Sequence, residues 1–587
     1  MSKIKDATVA PMPSFQRHVR TVRLLVLLLA GVYFAYFSLY TCISHDRFKT
    51  YAFDLGTFDQ GVWLAGHGTD YFVTVRGLHL LGDHVRLFSF VLAPLYWIWD
   101  DARALLVMQT LFIAAGAWFV MRISLREVPQ RPWLALVLAA GYLLNPAVQN
   151  LNLDHAHPDA FAQTFLLAAI DALRGGRLAV FWIASALAMS CKEDVPLVFI
   201  GVGLVLLLDA RRRRTGFVLA TVATLYFALC VWVILPHFNG MGFFRFKTGG
   251  FLSSLGYHSK DPAWITSKFL QHENGIYLLQ VGLAQLYLFV LAPLWLIPAT
   301  APLVANLLSD AQYMRDLSYH YQATILPFLI VATVDAVAKW QRPKTAPSLS
   351  QDPGGVAATP RFFLARAPLP ELALLAAAVA SNIWLSKVPL NRLQVLPEAW
   401  EMLKSDDRIA QANRLLARIP KDAVVAADYS LVPHLSHRRY IYMFPNPFEE
   451  SNWGIHGEKQ ANPDTVEYVA SRDVPGREPV MQILGNLGDQ MRFERIATAG
   501  SIQLYRRVNH VPPAANATCG DWNGDGIISN EDLRWIAFAI MKKKPCPIWV
   551  CDIDGDRQIR YADVLRLGHY LQDPQTALLC PTQDGSK

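Results

Sequence analysis

Charge is what this chain has least of. Only 17% of its 587 residues are Asp, Glu, Lys or Arg, where a soluble chain carries about 25%. With 53% hydrophobic residues and a mean hydropathy of +0.23, lipid is the solvent this composition suits. A small-residue cleavage site is also missing after the first apolar run, Leu24–Ile43. That run therefore reads as a full span of about 20 residues, not a removable signal peptide. The net charge of +7 is placed unevenly. Lys3, Lys5, Arg17, Arg20 and Arg23 precede the first span, and Arg122, Arg126, Arg211–Arg214, Lys339, Arg342 and Lys344 follow later ones. By the positive-inside rule these clusters mark cytoplasmic ends. They report topology, so no nucleic-acid partner is expected.

The pattern predicts a polytopic α-helical membrane protein of the plasma (bacterial inner) membrane, with about eleven spans. Residues 1–20 form a cytoplasmic N-terminus and 21–389 the membrane domain, with a large outer loop at 44–103. Within that loop Leu87–Trp99 is apolar but short and broken by Pro94, so it reads as re-entrant or interfacial. A break between two short helices is expected near Pro298 and Pro302, and 342–360 is a Pro/Ser/Gly-rich inner loop. An odd number of spans places everything after Lys387 outside. Residues 390–510 then read as an outer α/β domain, with strands at Val424–Ala427 and Ile502–Tyr505 and an amphipathic helix over Glu398–Ile419. A Pro/Ala linker, 511–518, leads to a separate module at 519–580.

That module carries two calcium-loop patterns. Asp521, Asn523, Asp525, Ser529 and Asp532 stand at positions 1, 3, 5, 9 and 12, Gly526 at the sharp turn, and Ile527 offers its carbonyl at position 7. Asp552, Asp554, Asp556, Gln558 and Asp563 repeat the pattern, with Arg557 at the turn and Arg560 at position 9. Each loop precedes a helix-like run, Leu533–Met541 and Val564–Leu571. The pair resembles a type I dockerin, an EF-hand-like module, which implies structural calcium and a cohesin-like protein partner. Cys519, Cys546, Cys551 and Cys580 flank the loops, and an even set in a small outer domain points to two disulfides of open pairing, zinc being the alternative. Cys42, Cys191 and Cys230 read as small apolar residues in or beside spans.

Polar groups in the membrane half gather at the outer ends of spans. They are Asp54 and Asp59, then His79, Asp83 and His84, then Asp154, His155, His157 and Asp159, then Lys192, Glu193 and Asp194, and finally His320 and Tyr321. Ionisable groups near lipid are functional candidates by default, and together they predict one outward cavity. The segments FDLGTFDQGVW, GDHVRLFSFVLAPLYWIW, LDHAHPDAF, CKEDVPL and SYHYQATILPF resemble the bacterial membrane family known as domain of unknown function 2079. PKDAVVAADYSLVPHLSHRRYIYMFP resembles that family's soluble part. The family is similar, more distantly, to the GT-C glycosyltransferases. That resemblance implies a polyprenyl-phosphate sugar as donor and an acid of the first outer loop as general base. Asp54 matches the loop acid, and Asp154 or Asp159 the acid before the fourth span.

On chemical grounds Asp54 would activate an acceptor hydroxyl, while Lys192, Arg76 or Arg86 received the phosphate. Asp59, Asp154, Asp159 and Lys192 are the further catalytic candidates. Arg76, His79, Asp83, His84, His155, His157, Glu193, His320 and Tyr321 are expected to line the substrate. His79, Asp83, His84, His155 and His157 are also a candidate divalent-metal set. A transporter would place ionisable groups near mid-span and show inverted repeats, and neither is evident. A non-enzymatic anchor that displays the outer domain and calcium module is the other alternative.

Overall fold

A computed structural model describes residues 13–68, 70–240, 262–341, 369–388, 406–449, 458–459, 461, 463–472, 480–486, 493–507, 517–522, 526–541 and 546–581. Among these, three helices are long and apolar enough to cross a membrane: Phe15–Asp46, Arg103–Glu127 and Arg213–Asn239. The pair Pro132–Leu144 and Pro146–Leu153, bent by 42°, is together long and apolar enough for a broken span or a re-entrant loop. Shorter helices pack beside them, including Pro158–Arg174, Leu178–Cys191, Val195–Leu207, Leu326–Gln341 and Leu369–Leu385. The large apolar residues on the outside, such as Leu28, Leu225 and Trp232, face where lipid would be.

Small residues let the helices close. A Cβ at Gly203 would meet the Gly216 carbonyl at 2.8 Å, so Val195–Leu207 and Arg213–Leu229 touch backbone to backbone there. Phe88–Leu92 and Leu95–Ile98 are two short helices separated at Pro94, too short to span. The expected break at Pro298 and Pro302 is displaced. Both prolines lie in the helix Ile297–Leu308, and the chain breaks instead over residues 284–296, in 3-10 turns. Pro298 is tolerated because the first turn of a helix needs no N–H from it.

The two ends of the bundle differ. At one end the fully buried Asp171 ties Arg122, Arg126 and Arg177 together, and Arg174 binds Glu127 and Asp335. The other end, one 25-residue helix away (about 37 Å), carries the sheets. A two-stranded ribbon of β1 (Phe72–Val73) and β2 (Leu78–His79) lies in the loop after the first helix. A five-stranded sheet follows late in the chain: β3 (Val425–Ala427), β4 (Ile441–Met443), β5 (Tyr468–Arg472), β6 (Phe493–Ala499) and β7 (Ile502–Arg507), in order β4-β3-β5-β7-β6. β3 runs parallel to β4 and β5, and β7 antiparallel to β5 and β6. The helix Asp407–Leu416 is capped by Asp406, whose carboxylate accepts from the Arg408 amide. Residues 398–405 of the expected amphipathic helix lie outside the described residues.

The sheet is seated on the first loop through a shared core. Phe48, Ala52, Leu64, Val73 and Leu80 pack with Leu415, Val425, Leu431, Val432 and Ile441. The Ala52 amide donates to the Tyr429 carbonyl at 2.9 Å, and the Lys459 amide to the Gly77 carbonyl at 2.8 Å. A Cβ on Gly56 would stand 2.8 Å from the Val432 side chain, so this approach requires glycine. In the C-terminal part, helices Asn530–Met541 and Tyr561–Gln572 pack around Trp522, Ile536, Val550 and Leu567. Disulfides join Cys519 to Cys580 and Cys546 to Cys551.

Candidate active site at the sheet end of the bundle

Asp54 lies on a single π-helical turn, Ala52–Gly56, that the Ala52–Tyr429 hydrogen bond anchors to the sheet. Asp154 ends the helix Pro146–Leu153, and His157 immediately precedes the helix Pro158–Arg174. Between them His155 takes a left-handed φ of 62°, which reverses the chain and sets its ring edge-on to Tyr51. His320 arrives from the short 3-10 turn His320–Gln322. These elements converge. His157 Nε2 is 3.4 Å from Asp154 Oδ2 and 3.7 Å from Asp54 Oδ1. His320 Nδ1 is 3.1 Å from Asp154 Oδ2, and the two imidazoles stack at 3.9 Å. Tyr321 stacks on His320 at 4.2 Å. Burial first, and the Asp154 carboxylate second, push the Asp54 carboxyl up to about 8, with Arg86 drawing it down.

Beside this cluster, Lys192 Nζ sits 3.3 Å from Asp159 and 3.4 Å from Asp194. The Asp159 carboxylate also lies within the fields of His320, His157 and His84. Arg86 is the leading cation at Asp54. It makes a loose 3.6 Å contact with Asp83, and its buried Nε has no hydrogen-bond partner.

Other expected site residues have different employments. Asp59 is wholly buried and accepts from Tyr96 and Ser436, with His437 Nε2 at 3.1 Å. It braces the sheet against the first loop and does not join Asp54. Arg76 binds Glu458 at 2.6 Å and Asp83 at 3.4 Å. His79 caps the Leu81 amide and stacks on Phe238 at 3.9 Å. His84 is held by Glu193 at 2.7 Å, and Glu193 also accepts from the Val85 amide. The metal set His79, Asp83, His84, His155 and His157 is thus dispersed: Phe238, Arg76, Glu193 and Tyr51 hold the first four, and His157 stays beside Asp154.

Two contributors escaped sequence reasoning. Gln109 accepts from the His157 amide at 2.7 Å and so positions it, and Lys387 reaches the fields of both Asp54 and Asp154. Gln109 had a usable signal, a lone amide inside an apolar span. A cavity of about 440 Å³ beside the Asp59 network is lined by Asp46, Asp100, Arg103, Lys421, His434 and His437, and by none of the expected site residues.

In the C-terminal loops, Asp521 accepts from the Gly526 amide, and Asp532 accepts from the amides of Trp522 and Ser529. Asn523 and Asp525 lie outside the described residues. Asp552, Asp554 and Asp563 each offer an oxygen within 4.8 Å of the others. Asp556, which accepts from the Gln558 amide, is bound by Arg560. Ile527 is exposed.

No curated protein matches the sequence. Among solved structures, the chain is similar to ArnT from Cupriavidus metallidurans bound to undecaprenyl phosphate, at 14% identity and a TM-score of 0.45, over 82% of this chain and 98% of that one. The family described as "Predicted membrane protein (DUF2079)" matches residues 44–492, which include the Asp54, Asp154, His157 and His320 cluster but not the C-terminal loops. The chain belongs to this DUF2079 family of membrane proteins.

Proposed function

We propose that the protein is a membrane glycosyltransferase that moves a sugar, or a related group, from a polyprenyl-phosphate donor to an acceptor at the outer face. The observation that carries this reading is the placement of Asp54. It stands next to Asp154, His157 and His320 at one end of the bundle, with the unpaired Arg86 Nε and the Lys192 ammonium close by. Asp54 would take the proton from an acceptor hydroxyl as its oxygen attacks the sugar's anomeric carbon. The bond from that carbon to the phosphate oxygen breaks, and the lipid phosphate leaves with the electron pair. Arg86 and Lys192 would receive that charge, since fixed cations aimed at a developing phosphate are the strongest form of such stabilisation. Phe53, half exposed beside Asp54, offers an apolar surface for the donor's lipid part.

The experiment is consumption of a polyprenyl-linked sugar by the full chain in lipid nanodiscs. Asp54→Asn should abolish it while the melting temperature stays unchanged. Unaltered products from the variant would sink the reading.

We also infer that the C-terminal loops hold structural calcium. The donor set supports this, being oxygen throughout, and Gly526 and Arg557 take the same left-handed turn (φ 81° and 63°) at equivalent loop positions. The exposed side of the helix Tyr561–Gln572, with Tyr561 and Leu565, is the surface such a module would offer a cohesin-like partner. EDTA should remove a calorimetric transition that belongs to residues 519–580 and leave the spans unchanged. A scan insensitive to EDTA would refute it.

A further inference from the structure

We infer that Asp154, His157 and His320 form a site for one divalent transition-metal ion, zinc by ligand chemistry. One ligand atom from each residue lies within 4.8 Å of the others. The two separations from Asp154 Oδ2 are 3.4 Å to His157 Nε2 and 3.1 Å to His320 Nδ1. Ligands held about 2.0–2.1 Å from a tetrahedral zinc stand about 3.3 Å apart, so these atoms already span an edge of the right length.

Two further observations point to a cation. His157 is buried, and its Nε2 has no hydrogen-bond partner. An orphaned buried nitrogen is costly to leave unpaired, and a coordinate bond would satisfy it. In addition, neither Asp54 nor Asp154 forms an ion pair with a Lys or Arg among the described residues; imidazoles are their only such neighbours. Arg86 and Lys387 act on these two carboxylates only through their fields, without an ion-pair contact, and a divalent ion would supply a counter-charge in direct contact.

The set of two histidines and one carboxylate is the catalytic type, with three protein ligands and an open position. His157 is oriented from behind by Gln109, and Asp154 by the helix end whose Asn150 carbonyl accepts its amide. Asp54 Oδ1 stands beside the three ligand atoms, 3.7 Å from His157 Nε2. Occupancy stands independently of the transferase reading. Only the ion's use, to polarise a donor phosphate oxygen, rests on that reading.

The test uses the full chain in nanodiscs, stripped of metal and then titrated with Zn²⁺ or Co²⁺. Wild type should retain one zinc after desalting, show the visible absorption of a four-coordinate Co²⁺ site, and melt higher with zinc added. His157→Ala, His320→Ala and Asp154→Asn should bind about ten-fold more weakly or worse and lose the zinc-dependent melting shift. The metal-free melting temperature shows whether each variant is folded, and Asp154→Asn keeps the shape of the side chain while removing its charge. Asp54→Asn should lose transfer yet keep the ion, which separates failure of this site from failure of the reaction. Wild type without stoichiometric metal, or ligand variants that bind as wild type does, would overturn the inference. Loss of the ion from Asp54→Asn would overturn the ligand assignment.

Discussion

Asp54 and Asp59 lie five positions apart in one loop and offer the same carboxylate, yet their surroundings divide the work. Asp54 faces imidazoles and retains partial exposure, whereas Asp59 is sealed beneath Tyr96, Ser436 and His437. Removing a buried carboxylate from such a set leaves its partners unpaired, a loss of about 3 kcal/mol or more. Asp59→Ala should therefore lower the melting temperature sharply, whereas Asp54→Ala should affect only turnover; equal melting losses would contradict the division. At the other end of the chain, Arg557 holds a left-handed φ of 63° where the first loop has Gly526. A side chain in that conformation costs about 1–2 kcal/mol. Arg557→Gly should bind calcium more tightly in the second loop, as read by isothermal titration; a weaker affinity would show that the guanidinium contributes more than the strain removes.

Elements rather than single residues aim the cluster. Two apolar helices meet at Asn145–Pro146 with a 42° bend, and the Asn145 side chain caps the second by accepting from the Ala147 amide at 2.9 Å. The proline ends the first helix by geometry and starts the second at a position that needs no N–H. The bend delivers Asp154, and the left-handed His155 then turns the chain so that His157 faces back toward it. Asn145→Ala should cost about 1 kcal/mol and, by loosening the bend, weaken turnover more than donor binding. A variant with wild-type melting and kcat would show that packing alone holds the bend. The bend is not legible in the sequence, because an X-Pro step is compatible with either a kink or a stop. The break misplaced at Pro298 and Pro302 has the same origin: a proline marks a local backbone preference, and the neighbouring helices decide where the chain breaks.

At the scale of the molecule, the five-stranded sheet and the first loop share one core, and His437 is an ionisable group on that seam. Burial works to lower its pKa, but Asp59 and Asp100 outweigh burial and raise it above the ordinary imidazole value. Tyr96 and Trp63 cover the ring, and the two carboxylates are the charges that face it. With the folded value raised, the stabilisation is fully present below the unfolded imidazole pKa. It is lost as pH rises through the higher folded value. The melting advantage of wild type over His437→Gln should thus shrink between about pH 6 and pH 8. An advantage that stayed constant or grew over that interval would refute the assignment.

By itself the sequence determined what composition and short-range pattern can carry: the apolar helices, the roster of acids and histidines at their ends, the strands near Val425 and Ile502, and the paired Asp/Gly loops. Those features depend on residues within a few turns of one another. Only the tertiary structure decided which members of the roster meet. Asp54, Asp154, His157 and His320 come together from three separate stretches of chain, while Asp59, Arg76, His79 and His84 are taken by other partners. The reason is range. A carboxylate's role follows from the charges and burial within a few ångströms of it, and those neighbours are brought there by packing between helices and sheet, which no local spacing encodes.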